Sequence, residues 1–200
     1  MEFTKLICGK NAYNVLQEFS DVISVFIPEI EKCVGFEQKN RHHCYDVYTH
    51  TLKAVEKSNP DPTTRLALFF HDIGKPIVAH FDEKGEQHYY GHPKKSAEIT
   101  EKILTRLRFD NDTKNKVVTL VNFHDSPIII NDNILPDRKR LKKIMSQIGK
   151  ELIFDLIHIK GRVCHNIVTR ALKIMRVVIE AVCLISRHDL GIESVNSHVH

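Results

Sequence analysis

The chain has 200 residues, 42% hydrophobic and 27% charged, a composition that fits one globular domain with a full core and excludes a disordered or fibrous chain. No apolar run approaches the roughly 18–20 residues that span a bilayer, and the opening MEFTKLICGK lacks the layout of a secretory signal, so no membrane partner is expected. Five scattered cysteines without a CxxC pair point to reduced thiols in the cytoplasm, and the formal net charge of +4 permits a phosphate-bearing substrate without arguing for nucleic acid by itself.

Low glycine and proline favour long helices. In DVYTHTLKAVEKS, Val47, His50, Thr51, Ala54 and Val55 recur at helical spacing, so His50 points with the apolar stripe. Asp61-Pro62 reads as a cap followed by proline in the first turn. That helix carries Leu66 to Phe70 and is expected to end near Gly74 in a left-handed conformation. The stretch IVAHFDEKGEQHYYGH is the one non-helical region, a short hairpin or ordered loop around Glu83-Lys84-Gly85. A further helix opens at Pro93 with Ile99, Ile103 and Leu107 on one stripe. The next takes Asp112 as its cap, places Val117, Leu120, Val121 and His124 on one face, and stops at Pro127. PDRKRLKKIMSQIG is a basic amphipathic helix whose charges read as a solvated face, and KELIFDLIHIK another. A final apolar-rich helix from Ile167 to Ser186 can pack on the core or against a second copy. The expected fold class is all-α, a helical bundle of roughly seven or eight helices with one loop or hairpin insertion.

Thirteen histidines stand out. His50 lies mid-helix on an apolar face. His71-Asp72 and His124-Asp125 each end a helix, and His92 starts one. Taken singly, such a histidine is ordinarily a satisfied core or surface residue, which is the reading for His80 and His88. Tyr89 and Tyr90 read likewise as packing. The ordered set H…HD…H…HD differs, because buried imidazoles and carboxylates are costly unless paired or metal-bound. An imidazole and carboxylate donor set suits Mn, Ni, Co, Fe or Zn. Adjacent ligands at one helix end can face different ions, so one or two ions fit, and a pair would activate water for attack on phosphorus.

HDIGKP, with DVYTHTL before it and YYGHP and FHD after it, resembles the HD-domain superfamily of metal-dependent phosphohydrolases. GKNAYNVL, DVISVFIPEI, GFEQKNRHHCYDVYTHTL and YGHPKKSAEITEKILTRLRFDND are similar to the HD region of bacterial tRNA nucleotidyltransferases, the CCA-adding and poly(A) polymerase group. The resemblance implies an HD domain over 1–160 and a divergent helical extension over 161–200. It implies metal ligands at His50, His71, Asp72, His92, His124 and Asp125, with Asp72 as the bridging or metal-anchoring carboxylate. It also implies catalytic roles for Asp72 and for Lys75, placed to contact a substrate phosphate or the leaving oxygen.

Two departures bear on function. No glycine-rich strand-turn followed by paired carboxylates is present, so the resemblance carries over the HD part and not CCA addition. The superfamily's last aspartate, in a pattern like KADxxAQ, falls in IHIKGRVCHN, where Gly161 and Arg162 stand at the Ala-Asp positions. An arginine cannot replace an anionic ligand. Asp155 lies two turns earlier, about 10.5 Å of rise away, and is a poor substitute. The expected function is hydrolysis of a nucleotide or RNA-end phosphoester, either a phosphomonoester or a 2′,3′-cyclic phosphodiester. The alternatives are a nucleotide- or RNA-binding HD module without turnover, or a fragment of a tRNA nucleotidyltransferase.

Overall fold

Three aspartates start three of the helices that build the centre of this protein. In the computed structural model, which describes residues 2–38, 45–126, 138–149 and 151–163, the carboxylates of Asp46, Asp61 and Asp110 each accept the backbone N–H three residues on, from Thr49, Thr64 and Thr113. Each satisfies one of the orphan donors of a first helical turn. The cap of the third helix is therefore Asp110 and not Asp112. Asp112 lies in the first turn, where its side chain takes the Lys116 ammonium at 2.8 Å instead.

The N-terminal segment folds as α1 (Glu2–Cys8), α2 (Ala12–Glu18), α3 (Ser20–Phe26) and a 3-10 turn, Pro28–Lys32. Then come α4 (Val47–Glu56), α5 (Pro62–Phe70), the single turn α6 (Lys75–Val78) and a two-stranded hairpin, β1 (His80–Phe81) with β2 (Gln87–His88). The rest is α7 (His92–Arg106), α8 (Asn111–Phe123), α9 (Arg138–Ile148) and α10 (Leu152–Val163). The all-α expectation holds. The hairpin is antiparallel with His80 opposite His88, and Asp82 Oδ1 holds its turn by accepting the N–H of Lys84 and of Glu86. Pro127 and the Ile167–Ser186 helix lie outside the described residues, as does the Arg162 side chain. Among the described residues no helix is long and apolar enough to cross a membrane.

The α5 helix is the axis of the fold. Every residue from Thr64 to Phe70 is buried, and the helix packs against α1, α4, α7, α8 and α10. A helix apolar on all sides must sit inside, and each fully buried Leu or Phe contributes about 1.5–3 kcal/mol. Its one charged residue, Arg65, spends its donors on the carbonyls of Ile7, Gly9, Ser58 and Asn59, tying the end of α1 to the α4–α5 turn.

Gly74 corrects an expectation. It has φ −82° and ψ −15°, so it is not left-handed. Its lack of a side chain serves packing: a Cβ there would lie 2.7 Å from the Ser96 backbone nitrogen and 3.1 Å from the His92 carbonyl oxygen. The Gly74 N–H donates to Ser96 Oγ, clamping the turn after α5 onto the first turns of α7. Gly91, φ 78°, is left-handed instead, and turns the chain immediately before His92.

Candidate metal centre

Four helices deliver imidazoles to one carboxylate. His50 comes from the buried face of α4, His71 and Asp72 follow the last residue of α5, His92 opens α7 and His124 follows α8. All are buried, Asp72 to 1% exposure and His71 to 0%.

Local backbone chemistry sets the rings. His71 Nδ1 lies 2.6 Å from Leu68 O and His124 Nδ1 2.7 Å from Val121 O, each reaching back to a last-turn carbonyl that has no helical donor. His92 Nδ1 lies 2.9 Å from Tyr89 O. A carbonyl only accepts, so each Nδ1 carries a proton and each Nε2 is turned inwards. This is the arrangement by which metal-binding histidines are oriented.

The Asp72 carboxylate divides the imidazoles into two pairs. Oδ2 lies 3.1 Å from His71 Nε2 and 3.9 Å from His50 Nε2. Oδ1 lies 3.4 Å from His92 Nε2 and 3.7 Å from His124 Nε2. Within each three-residue group the ligand atoms lie within 4.8 Å of one another. His92 Nε2 and His124 Nε2 are 3.1 Å apart.

The residues fit divalent cations. Both Asp72 oxygens and His71 Nε2 are buried without a hydrogen bond of sound geometry, despite these close approaches. Orphaned buried polar atoms of this kind cost about 1–3 kcal/mol each. The Nε2 lone pairs of His92 and His124 oppose one another unless a cation lies between them. Protonation states agree. Burial resists ionisation of Asp72, but His71 and the Lys75 ammonium hold its carboxyl well below the usual range. Burial pushes the His92 ring down to about 4 and lowers His124 as well. A carboxylate and neutral imidazoles are the forms that bind metal, and this donor set suits first-row transition ions.

Lys75 stands beside the pairs, 5% exposed, with Nζ 2.8 Å from Asp72 Oδ2 and 2.8 Å from Gln38 Oε1. It lies 5.2 Å from the centroid of the Tyr89 ring, and the Tyr89 hydroxyl donates to Gln87 Oε1. Tyr89 is thus part of the wall of the centre, and Gln38 is a neighbour that no periodicity or motif position singled out. Tyr90 is not packed in the core. It is 73% exposed and stacks on His88. His80 is exposed, and His88 pairs with Asp82 at the hairpin surface.

Asp125 stands apart. FHD occurs at 70–72 and at 123–125, yet Asp72 is buried and Asp125 is exposed and belongs to neither ligand group. A step of one residue turns about 100° around a helix. Around α5 every direction is core, whereas α8 buries one side only, and the step past His124 reaches water. Asp155 feels Asp61 at the opposite end of α5 from His71, so it does not supply a further ligand. Lys160 Nζ donates to the His124 carbonyl oxygen at 2.9 Å, docking α10 against this end of α8.

Comparison with known proteins agrees with the geometry. A family model described as HD domain matches residues 41–176. The chain is 32% identical over 150 residues to a CC-adding tRNA nucleotidyltransferase of Thermus thermophilus, covering 72% of this chain and 33% of that protein. It is 30% identical over 109 residues to an A-adding tRNA nucleotidyltransferase of Deinococcus radiodurans, covering 52% of this chain and 25% of that protein. It is 29% identical over 111 residues to a Multifunctional CCA protein of Legionella pneumophila, covering 52% and 26%. The chain spans a third or less of the length of these relatives. Both the histidine–aspartate centre and the family match lead to one assignment: the chain belongs to the HD-domain family, whose members are of the metal-dependent phosphohydrolase type.

Proposed function

We propose that this protein is a metal-dependent phosphohydrolase acting on a nucleotide or RNA-end phosphoester, a phosphomonoester or a 2′,3′-cyclic phosphodiester. The observation that carries the reading is the Asp72 carboxylate, with one oxygen toward His50 and His71 and the other toward His92 and His124, and Lys75 beside it. His50, His71 and Asp72 would hold one divalent cation, and Asp72, His92 and His124 a second. Such ions supply Lewis acidity and a water of lowered pKa.

The chain's own residues do the rest. The Nδ1–H bonds to backbone carbonyls lock three rings before substrate arrives, so little reorganisation is left for the reaction. Asp72 stays ionised and can orient a water. Lys75 places a buried positive charge where a phosphate oxygen gathers negative charge as the water oxygen bonds to phosphorus and the ester oxygen departs. A nucleotide or RNA substrate is supported by the relatives named for tRNA nucleotidyl transfer.

The test is turnover of bis(p-nitrophenyl) phosphate and of a 2′,3′-cyclic nucleotide by protein loaded with Mn²⁺, Ni²⁺ or Co²⁺. Activity lost in His71→Ala and Asp72→Ala supports the reading, and no turnover with any of these ions rejects it. A second reading, nucleotide or RNA binding without turnover, is favoured by Gly161-Arg162 at the position of the family's Ala-Asp. Saturable binding of nucleotide with no hydrolysis would establish it.

A further inference from the structure

Lys75 is 5% exposed and carries three N–H donors at the end of a flexible stem. Its Nζ pairs in charge with Asp72 Oδ2 at 2.8 Å and donates a hydrogen bond to Gln38 Oε1 at 2.8 Å. Asp72 is also the one carboxylate in either ligand group, so once cations share its charge it holds an ammonium less strongly, and those cations repel the ammonium besides. What then keeps Lys75 in place must be neutral. Among the described residues, Gln38 Oε1 and the face of the Tyr89 ring are the neutral acceptors beside it. Gln38 is itself fixed: it is 5% exposed, and its Nε2 donates to Tyr45 O at 3.2 Å.

We propose that Gln38 is a positioning residue that holds the Lys75 ammonium beside the metal centre, leaving a donor for a phosphate oxygen of the substrate. The role deepens the phosphohydrolase reading and rests on it. Gln38 touches neither substrate nor metal and acts only through Lys75. Its amide accepts from the ammonium without adding a second anion that would compete for the cations.

The experiment is a double-variant cycle on the Mn²⁺-loaded protein, using Gln38→Ala, Lys75→Met and the pair, with Gln38→Met as a second variant that fills the volume without an acceptor. Three quantities are read: metal content, the dissociation constant of inorganic phosphate, and kcat/KM for bis(p-nitrophenyl) phosphate. Expected are wild-type metal content in every variant, phosphate affinity and kcat/KM lowered about tenfold in both Gln38 variants, the size of one hydrogen bond to a charge, and no further loss on adding either to Lys75→Met. Losses that add in the double variant would overturn the proposal, as would unchanged phosphate affinity in both Gln38 variants or loss of metal. Absence of turnover in the wild type would reject the hydrolase reading alone, since phosphate binding still decides the role of Gln38. A wild-type protein that neither turns over the ester nor binds phosphate would end both.

Discussion

His92 and His124 meet Nε2 to Nε2 at 3.1 Å while each donates its Nδ1 proton to a backbone carbonyl. Two neutral rings so fixed oppose their lone pairs, and a cation between them turns that repulsion into coordination. Metal should therefore stabilise the fold. At a free Mn²⁺ concentration of 100 times Kd the gain is about 2.7 kcal/mol, a rise in melting temperature of roughly 5–10 °C over the chelator-treated protein. Differential scanning calorimetry with EDTA and with Mn²⁺ checks it, and the rise should shrink in His92→Ala and in His124→Ala.

The two HD doublets should behave differently. Asp72→Asn removes the charge shared by both ligand groups and is expected to lower turnover at least about a hundredfold. Asp125→Asn, at an exposed position outside both groups, should stay within about threefold of wild type. Steady-state kinetics on one phosphoester decides, and equal losses would mean that Asp125 enters the centre.

Gly74→Ala should destabilise the protein by about 1–3 kcal/mol, because a Cβ meets backbone atoms of α7 that cannot swing away. The urea midpoint measures it. Since the clash falls on Ser96 and His92, metal affinity should fall with stability; an unchanged midpoint would contradict the packing account.

Asp155 yields a pH dependence of known sign. Half-burial, reinforced by Asp61, raises its pKa above the ordinary carboxyl value, with Lys116 opposing. The folded state thus carries an unwelcome charge at neutral pH, a cost fully present above the folded pKa and gone below the unfolded value of about 3.9. Asp155→Asn should raise the melting temperature at pH 7, and the difference should vanish as the pH falls below about 4. A difference independent of pH would assign the effect to packing.

Local patterns made much of this fold legible. Helical spacing put His50 on the buried face of α4, and Asp61-Pro62 marked the start of α5. The ordered histidines lie on the elements that converge on Asp72. Other contacts distant along the chain left no trace. Gly74 read as a helix terminator because its partner, Ser96, is 22 residues on. Arg65 caps carbonyls more than fifty residues before it, and Gln38 reaches Lys75 across 37 residues. The two FHD strings are identical, and only the burial of the helix that carries each separates Asp72 from Asp125.

The most direct measurement is metal content by mass spectrometry of the Mn²⁺-loaded protein, wild type beside Asp72→Ala and the pair His92→Ala/His124→Ala. A bridging Asp72 predicts about two ions per chain in the wild type, about one in the histidine pair and little in Asp72→Ala. Wild-type content in Asp72→Ala, or no metal retained by the wild type, would contradict it.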